Sequence, residues 1–263
     1  MSLNSLDKII NLKKEKINSL KNELNVDDLK SKIDKFDKYF DFKKKIENNV
    51  LNGKISLIAE VKKASPSAGV IIEDYNPVDI ASIYEKNKAT CLSVLTEENF
   101  FQGSLDHIIE IKKKINLPIL CKDFFIDKFQ IPLVKSYGAD AILLIVAALN
   151  ADQLEELYNA ALEYKMSVII EVHTIEEAMQ ISDFDEALIG INNRNLKTLK
   201  TDISNTFEIH KSLSNFKGIL ISESGFKNKE DVLKVTNQTN IKTFLIGESL
   251  LKNPKNNSIF SVL

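Results

Sequence analysis

The chain has 263 residues, 35 Lys plus Arg against 37 Asp plus Glu for a formal charge of -2, 44% hydrophobic residues, eight Gly and five Pro. This balance excludes intrinsic disorder, collagen-like repeats and a disulfide-built miniprotein. It also argues against nucleic acid as a partner, because a phosphate backbone needs a net basic surface or a concentrated basic patch.

The N-terminal segment from Met1 to Leu24 carries charges every few residues where a signal peptide needs an uninterrupted apolar core. The longest apolar run, Ala141 to Leu149, falls well short of the ~20 residues of a membrane helix. A cytoplasmic protein with no membrane contact is the expectation. Leu3, Leu6, Ile9, Ile10, Ile17 and Leu20 recur at helical spacing, and a second charged stretch from Val26 to Asn49 interleaves Phe36, Tyr39, Phe40 and Phe42. Helix is therefore expected over roughly the first 48 residues.

From Lys54 onward the pattern changes to short β-branched runs separated by amphipathic stretches, the mark of repeated strand–helix units. Strands are predicted at 55–61, 90–95, 118–122, 141–146, 167–172, 187–192, 218–222 and 243–246. Helices are predicted at 78–87, 105–114, 129–137, 151–164, 175–181, 203–212 and 228–235, with a short apolar tail after Pro254. Eight such units in about 210 residues is the arithmetic of a (β/α)8 barrel, a TIM barrel. A doubly wound sheet would bring fewer strands and a Gly-rich first turn, and neither G-x-G-x-x-G nor G-x-x-x-x-G-K-[ST] occurs. One barrel domain spanning the chain, with residues 1–50 as a helical extension over the mouth, is the predicted organisation.

In such a barrel the C-terminal strand ends form the active-site face. Side chains alternate along a strand, so Glu60 and Lys62 share the inward face of the first strand with Ile58. The same count sends Lys122 inward with Leu120 and leaves Cys121 against the helices; Glu171 is inward on the fifth strand. The sixth strand ends Asn192, Asn193, Arg194, and the seventh Ser222, Glu223, Ser224, Gly225. Gathering Lys62, Lys122, Glu60, Glu171, Asn192 and Glu223 in one mouth costs many kcal/mol in desolvation unless the charges pair. A structural ion-pair ring is one reading, and convergence of polar groups on one cavity for chemistry is the other.

The remaining ends are small and polar: Ser65 to Gly69 after the first strand, Ser224 and Gly225 after the seventh, and Gly247, Glu248 and Ser249 after the eighth, where a helix opens. Gly lets backbone N–H groups approach an anion, and a helix N-terminus adds partial positive charge. Either Gly225 or Gly247 alone could be an ordinary turn glycine. Both together, after strands seven and eight, point to a phosphorylated small-molecule substrate. Cys91 and Cys121 lie in separate strand-like runs with no C-x-x-C, so two buried thiols are expected rather than a disulfide framework or zinc site. Arg194 is the only arginine among the 35 basic residues.

The blocks IAEVKKASPSAG from Ile58, SVLTEENFFQGS from Ser93, LPILCKDFFID from Leu117, GADAILLIVAAL from Gly138, IIEVHT from Ile169, IGINNRNLKTL from Ile189, ISESGF from Ile221 and FLIGESLL from Phe244 resemble the indole-3-glycerol phosphate synthase family. The resemblance implies conversion of 1-(2-carboxyphenylamino)-1-deoxyribulose 5-phosphate to indole-3-glycerol phosphate by ring closure, decarboxylation and dehydration. It makes the chain a carboxy-lyase of tryptophan biosynthesis that needs no cofactor or metal. It further implies that Lys122 is the general acid on the ribulose carbonyl, that Lys62 pairs with the substrate carboxylate, and that Glu171 accepts a proton in the dehydration. Glu60 and Glu223 would support that charge network and Asn192 would bond the reacting hydroxyl. By the same resemblance Ser65, Ser224, Gly225, Gly247 and the backbone of Glu248 contact phosphate. Phe101 and Phe124 sit near the aromatic ring or pack in the core, and Arg194 binds a substrate carboxylate or forms a structural salt bridge. Two positions depart from the family: Ala68 stands where ASPSKG carries Lys, and Cys121 where a basic residue is common. In the family the N-terminal extension helps cover the substrate, and any of Phe36, Tyr39, Phe40 and Phe42 is a candidate for that contact.

Three other readings have distinct signatures. A Schiff-base aldolase would need a neutral Lys62 or Lys122, which adjacent carboxylates oppose. Phosphoribosylanthranilate isomerase shares the barrel and the phosphate but not the EVKKASPS and KDF blocks. A non-catalytic barrel that binds sugar phosphates would have no use for the charged mouth. His173 shares a face with Glu171 but lies beyond the strand end. A monomer or weak homo-oligomer is the expected state.

Overall fold

The computed structural model describes residues 5–181 and 183–263; Leu3 of the predicted helical pattern lies outside them. Eight parallel strands close into a barrel in sequence order: β1 (Ser56–Val61), β2 (Cys91–Leu95), β3 (Ile119–Lys122), β4 (Ala141–Ile145), β5 (Ser167–Val172), β6 (Leu188–Asn192), β7 (Leu220–Glu223) and β8 (Thr243–Ile246), with β8 pairing back onto β1. All eight predicted strands exist, most within a residue or two of the predicted ends. The seventh differs most: it starts at Leu220 and ends one residue later than expected, so that Glu223 is its last strand residue.

Alternation along these strands divides the core in two. Leu57, Ala59, Val61, Leu92, Val94, Cys121 and Ile170 face outward into the layer shared with the helices. Ile58, Cys91, Leu120, Leu143, Ile169, Leu188, Ile221 and Leu245 fill the barrel interior. Both thiols are therefore buried, one on each side of the sheet. Side-chain oxygens at helix starts satisfy backbone N–H groups that the helix leaves free. Asn150 and Gln153 form a reciprocal capping box on the helix Ala151–Glu163, and Asn76 caps Pro77–Lys86 with proline at its first turn.

The extension forms α1 (Ser5–Glu23), α2 (Val26–Lys35) and α3 (Phe42–Leu51). Only α1 reaches the mouth, where Leu6 and Ile9 line the cavity. It is tied there by Lys13 to Asp123 at 2.6 Å, by Lys21 to Asp127 at 2.5 Å, and by Lys16 to Glu98. By contrast α3 plugs the opposite end: Phe42 and Ile46, one helical turn apart, are buried against the bottom of the barrel interior. Between them, α2 packs on the helix Gln130–Ser136. None of Phe36, Tyr39, Phe40 and Phe42 lines the mouth. Phe36 packs beside Gly138, the Tyr39 hydroxyl donates to the Lys135 carbonyl, and the Phe40 N–H donates to Asp140 Oδ1 at 2.7 Å. Among the described residues of the extension, Leu6 and Ile9 of α1 line the mouth cavity, while the aromatic cluster is spent on the barrel's floor and flank.

The candidate active site at the barrel mouth

Glu60, Lys122, Glu171 and Glu223 end four different strands and converge. The Lys122 ammonium lies 3.5 Å from Glu223 Oε2 and 3.8 Å from both Glu60 Oε2 and Glu171 Oε2. Lys62 bonds directly to the other oxygen of Glu60. The three carboxyl groups are nearly fully buried, so every charge among them is balanced at short range or suppressed.

Two glycines make room for this cluster. A Cβ at Gly190 would stand 2.0 Å from Glu223 Oε1, and one at Gly247 would stand 2.1 Å from Glu60 Oε1. Any side chain at either position would displace a carboxylate. Gly190 escaped the sequence reading, although a lone glycine inside the apolar strand ALIGIN is the ordinary signal of a close approach. Gly247, read as a phosphate contact, has this second role as well.

The cluster sorts its protons. Burial works against the Lys122 charge, but Glu223, Glu171 and Glu60 together hold its pKa above the ordinary lysine value. Burial likewise opposes ionisation of Glu60, and Lys62, Lys122 and Arg194 outweigh it, leaving that group a stronger acid than usual. Glu171 and Glu223 are driven apart. Burial would raise Glu171, but His173 and Lys122 pull it below the carboxylate range. Glu223 moves up, through burial and the neighbouring Glu171 anion, against the pull of Lys122. The directions of these shifts favour a charged Lys122 and make Glu171 the stronger acid and Glu223 the weaker one of that pair.

Around this cluster the mouth cavity is lined by Leu6 and Ile9 of α1, Leu95, Phe101, Phe124, Leu143, Ile145, Leu196 and Leu199, with Ser65, Asn192, Arg194 and Ser224 on its polar side. Phe101 and Phe124 are half-buried and face this space. A contiguous second cavity shares Glu60, Lys62, Arg194 and Ser224 and continues past Gly225, Gly247 and Glu248. Ser224 and Gly225 take consecutive left-handed backbone conformations, φ 67° and 87°, which turns the chain sharply at the end of β7. Ser65 is held by its own loop, with its hydroxyl accepting from the Ala68 N–H at 3.2 Å. Of the fourteen residues singled out in the sequence, thirteen line one or both cavities, and Glu223 lies buried beneath them against Lys122.

Asn192 and Arg194 have further partners. Asn192 Oδ1 accepts the Arg194 N–H at 3.0 Å, and the Arg194 guanidinium donates to the Leu199 carbonyl at 2.8 Å and to Ser67 Oγ at 3.3 Å. Its other terminal nitrogen lies 3.8 Å from Glu248 Oε2. Asp123, given no role in the sequence reading, joins Lys13 of α1 to Thr96 at the end of β2, where its Oδ2 accepts the threonine hydroxyl at 2.8 Å. Its signal was present in the block KDF, directly after Lys122.

A parallel eightfold barrel with an ammonium set among three carboxyl groups, beside an apolar pocket and glycine-rich loops after β7 and β8, defines a (β/α)8 enzyme built for proton transfer on an anionic small molecule. The family model for indole-3-glycerol phosphate synthase matches residues 6–262. The chain belongs to that family, whose members are carboxy-lyases of tryptophan biosynthesis. Among curated relatives it is 44% identical over 258 residues to the indole-3-glycerol phosphate synthase of Prochlorococcus marinus subsp. pastoris, covering 95% of this chain and 85% of the relative. It is 38% identical to the synthase of Trichodesmium erythraeum over 254 residues, covering 95% and 84%. Of solved structures, tryptophan synthase subunit alpha from Legionella pneumophila str. Paris superposes with a TM-score of 0.59 at 13% identity, over 84% of this chain and 93% of that one. That likeness speaks to the barrel alone. Among the described residues no helix is long and apolar enough to cross a membrane.

Proposed function

We propose that this mouth converts 1-(2-carboxyphenylamino)-1-deoxyribulose 5-phosphate to indole-3-glycerol phosphate, CO2 and water, with the residue roles that follow. The observation that carries the reading is the Lys122 ammonium held 3.5–3.8 Å from three buried carboxyl groups at the floor of an apolar-walled cavity.

Ring closure joins the aromatic carbon bearing the carboxylate to the ribulose carbonyl carbon, and the carbonyl oxygen gains negative charge. Lys122 gives it a proton. Its carboxylate neighbours keep the amine charged in a site that burial alone would neutralise, so the proton is in place when the oxygen needs it. Lys62 and Arg194 pair with the anthranilate carboxylate until it leaves as CO2, which restores the aromatic ring. The new hydroxyl then takes up the proton carried by Glu223 and departs as water. Glu171, kept ionised, accepts the proton given up in that elimination, Asn192 bonds the hydroxyl, and Glu60 and Glu223 hold the charges in register.

Phe101 and Phe124, with Leu143 and Ile145, enclose the aromatic ring, where water would compete for the developing charges. The phosphate lies in the second cavity against Ser65, Ser224, Gly225, Gly247 and the backbone of Glu248. The Glu248 side chain is turned to Lys252 and Arg194, so it does not oppose the anion at close range. Ala68 removes the lysine expected in this loop, and Lys62, Arg194, Lys227 and Lys252 are the cations that line the cavity. We place the enzyme in the cytoplasm, as one barrel domain that is monomeric or weakly associating.

Substitution separates the two halves of the site. Lys122→Met should lose roughly 10²–10⁴ in kcat while substrate still binds, since it removes a general acid. Ser224→Ala should act mainly on KM. Single-turnover kinetics with binding measured in parallel checks the division, and equal losses of kcat in both variants would contradict it. Failure of borohydride to trap an adduct with substrate keeps a Schiff base out of the account.

A further inference from the structure

Glu171 has a neighbour that the reaction scheme leaves unused. Two residues on, His173 places its ring between two carboxylates. Nε2 lies 3.3 Å from Glu171 Oε1, and Nδ1 lies 3.6 Å from Glu177 Oε2. The ring side chain is 7% exposed, and neither nitrogen makes an aligned hydrogen bond with any described residue, so the two carboxylates meet the ring as ion-pair contacts. Three elements hold it. The His173 N–H donates to Glu177 Oε2 at 2.6 Å, its carbonyl accepts from Asn205 Nδ2 at 3.2 Å, and the Glu177 N–H donates to Thr174 Oγ1, which caps the short helix Ile175–Ala178.

A neutral imidazole carries one N–H and one lone pair. Between the buried Glu171 and the partly buried Glu177, that lone pair would face an anion at short range. Only the doubly protonated ring presents a proton to each side. We propose that His173 is a positioning residue, an imidazolium anchored by Glu177 that fixes Glu171 as the anion and so leaves the proton of the Glu171–Glu223 pair on Glu223.

The surroundings agree. Burial would discharge the ring, and Glu171 and Glu177 outweigh it to bring its pKa to about 10. The groups facing the ring are Glu171 on its own strand, Glu177 on the following helix and, more distantly, Glu223 on β7. On its open side a cavity lined also by Arg194, Lys197, Lys200, Asp202 and Glu208 brings both signs of charge. With the ring charged, two adjacent carboxyl groups that would share a proton indifferently acquire separate states: one acceptor, one donor. The catalytic meaning of this device rests on Glu171 being the proton acceptor of the dehydration.

The chain has three histidines, His107, His173 and His210, so 15N-labelled imidazoles can be followed one by one. In the full-length wild type at pH 8.5, His173 should show both ring nitrogens protonated, and its titration should move to lower pH in Glu177→Gln. A neutral His173 ring at pH 8.5 overturns the proposal. In kinetics, His173→Gln should move the acid limb of the kcat profile to higher pH by about one unit or more with KM little changed, because Glu171 loses the cation that keeps it ionised. An unmoved limb overturns the proposal too. Full turnover in Glu171→Gln would instead remove the role given to Glu171, and the charge state of His173 would be decided by the nitrogen spectra alone.

Discussion

Glu223 shows how a single buried carboxyl group links the site to stability. Its folded-state pKa is raised, so the folded chain binds its proton more tightly than the unfolded chain. Stability from that proton is fully present below the ordinary carboxylate value near ~4.3 and is lost as pH rises through the raised value. Glu223→Gln keeps a neutral group of the same shape at every pH. Thermal unfolding should therefore show the variant gaining on wild type as pH rises from 6 to 9, and a difference independent of pH would contradict the assignment of the proton. The inward placement of Glu60, Lys122, Glu171 and Glu223 was legible in the sequence, because strand alternation is a strict period of two. Which of those carboxyl groups keeps its proton was not. That depends on His173 and Lys122 approaching from different strand ends, and on the empty space at Gly190, which no local pattern encodes.

At the scale of elements, the three helices before the barrel divide the work. Phe42 of α3 is completely buried in the barrel floor, and truncating a buried Phe to Ala typically costs about 3–5 kcal/mol. Phe42→Ala should lower the unfolding free energy by about that amount with kcat at 20 °C near wild type. Ile9→Ala on α1 should do the reverse, raising KM while stability changes less, since Ile9 faces the mouth cavity. Urea unfolding and steady-state kinetics on the two variants decide this, and an altered kcat with unaltered stability in Phe42→Ala would contradict it. The flank between them is tied by Asp140, which pairs with Lys112 at 2.5 Å and accepts the N–H groups of Phe40 and Ile119. Helical periodicity revealed that these segments are helices. Their destinations depend on contacts more than 70 residues away in sequence, such as Lys13 to Asp123 and Phe40 to Asp140, and an amphipathic pattern does not say which surface it will meet.

For the whole molecule, closure of the sheet is what makes the chemistry possible. Lys122 and its three carboxyl partners span positions 60 to 223, and no two of the four come from adjacent residues. Parallel register places Glu60 level with Ser93, Lys122 with Leu95 and Asn192 with Glu223, so one end of the barrel collects every polar strand end while the other is sealed by α3. The eight-unit count was visible in the sequence because each strand is a short apolar run and amphipathic stretches separate them. The chain also contains no tryptophan. The purified protein should therefore give a low background against which newly formed indole fluorescence can be followed. Addition of 1-(2-carboxyphenylamino)-1-deoxyribulose 5-phosphate to the purified protein alone should produce a rising indole signal, with one CO2 released per indole formed. No rise above the substrate blank, with the protein folded and the substrate intact, would contradict the account.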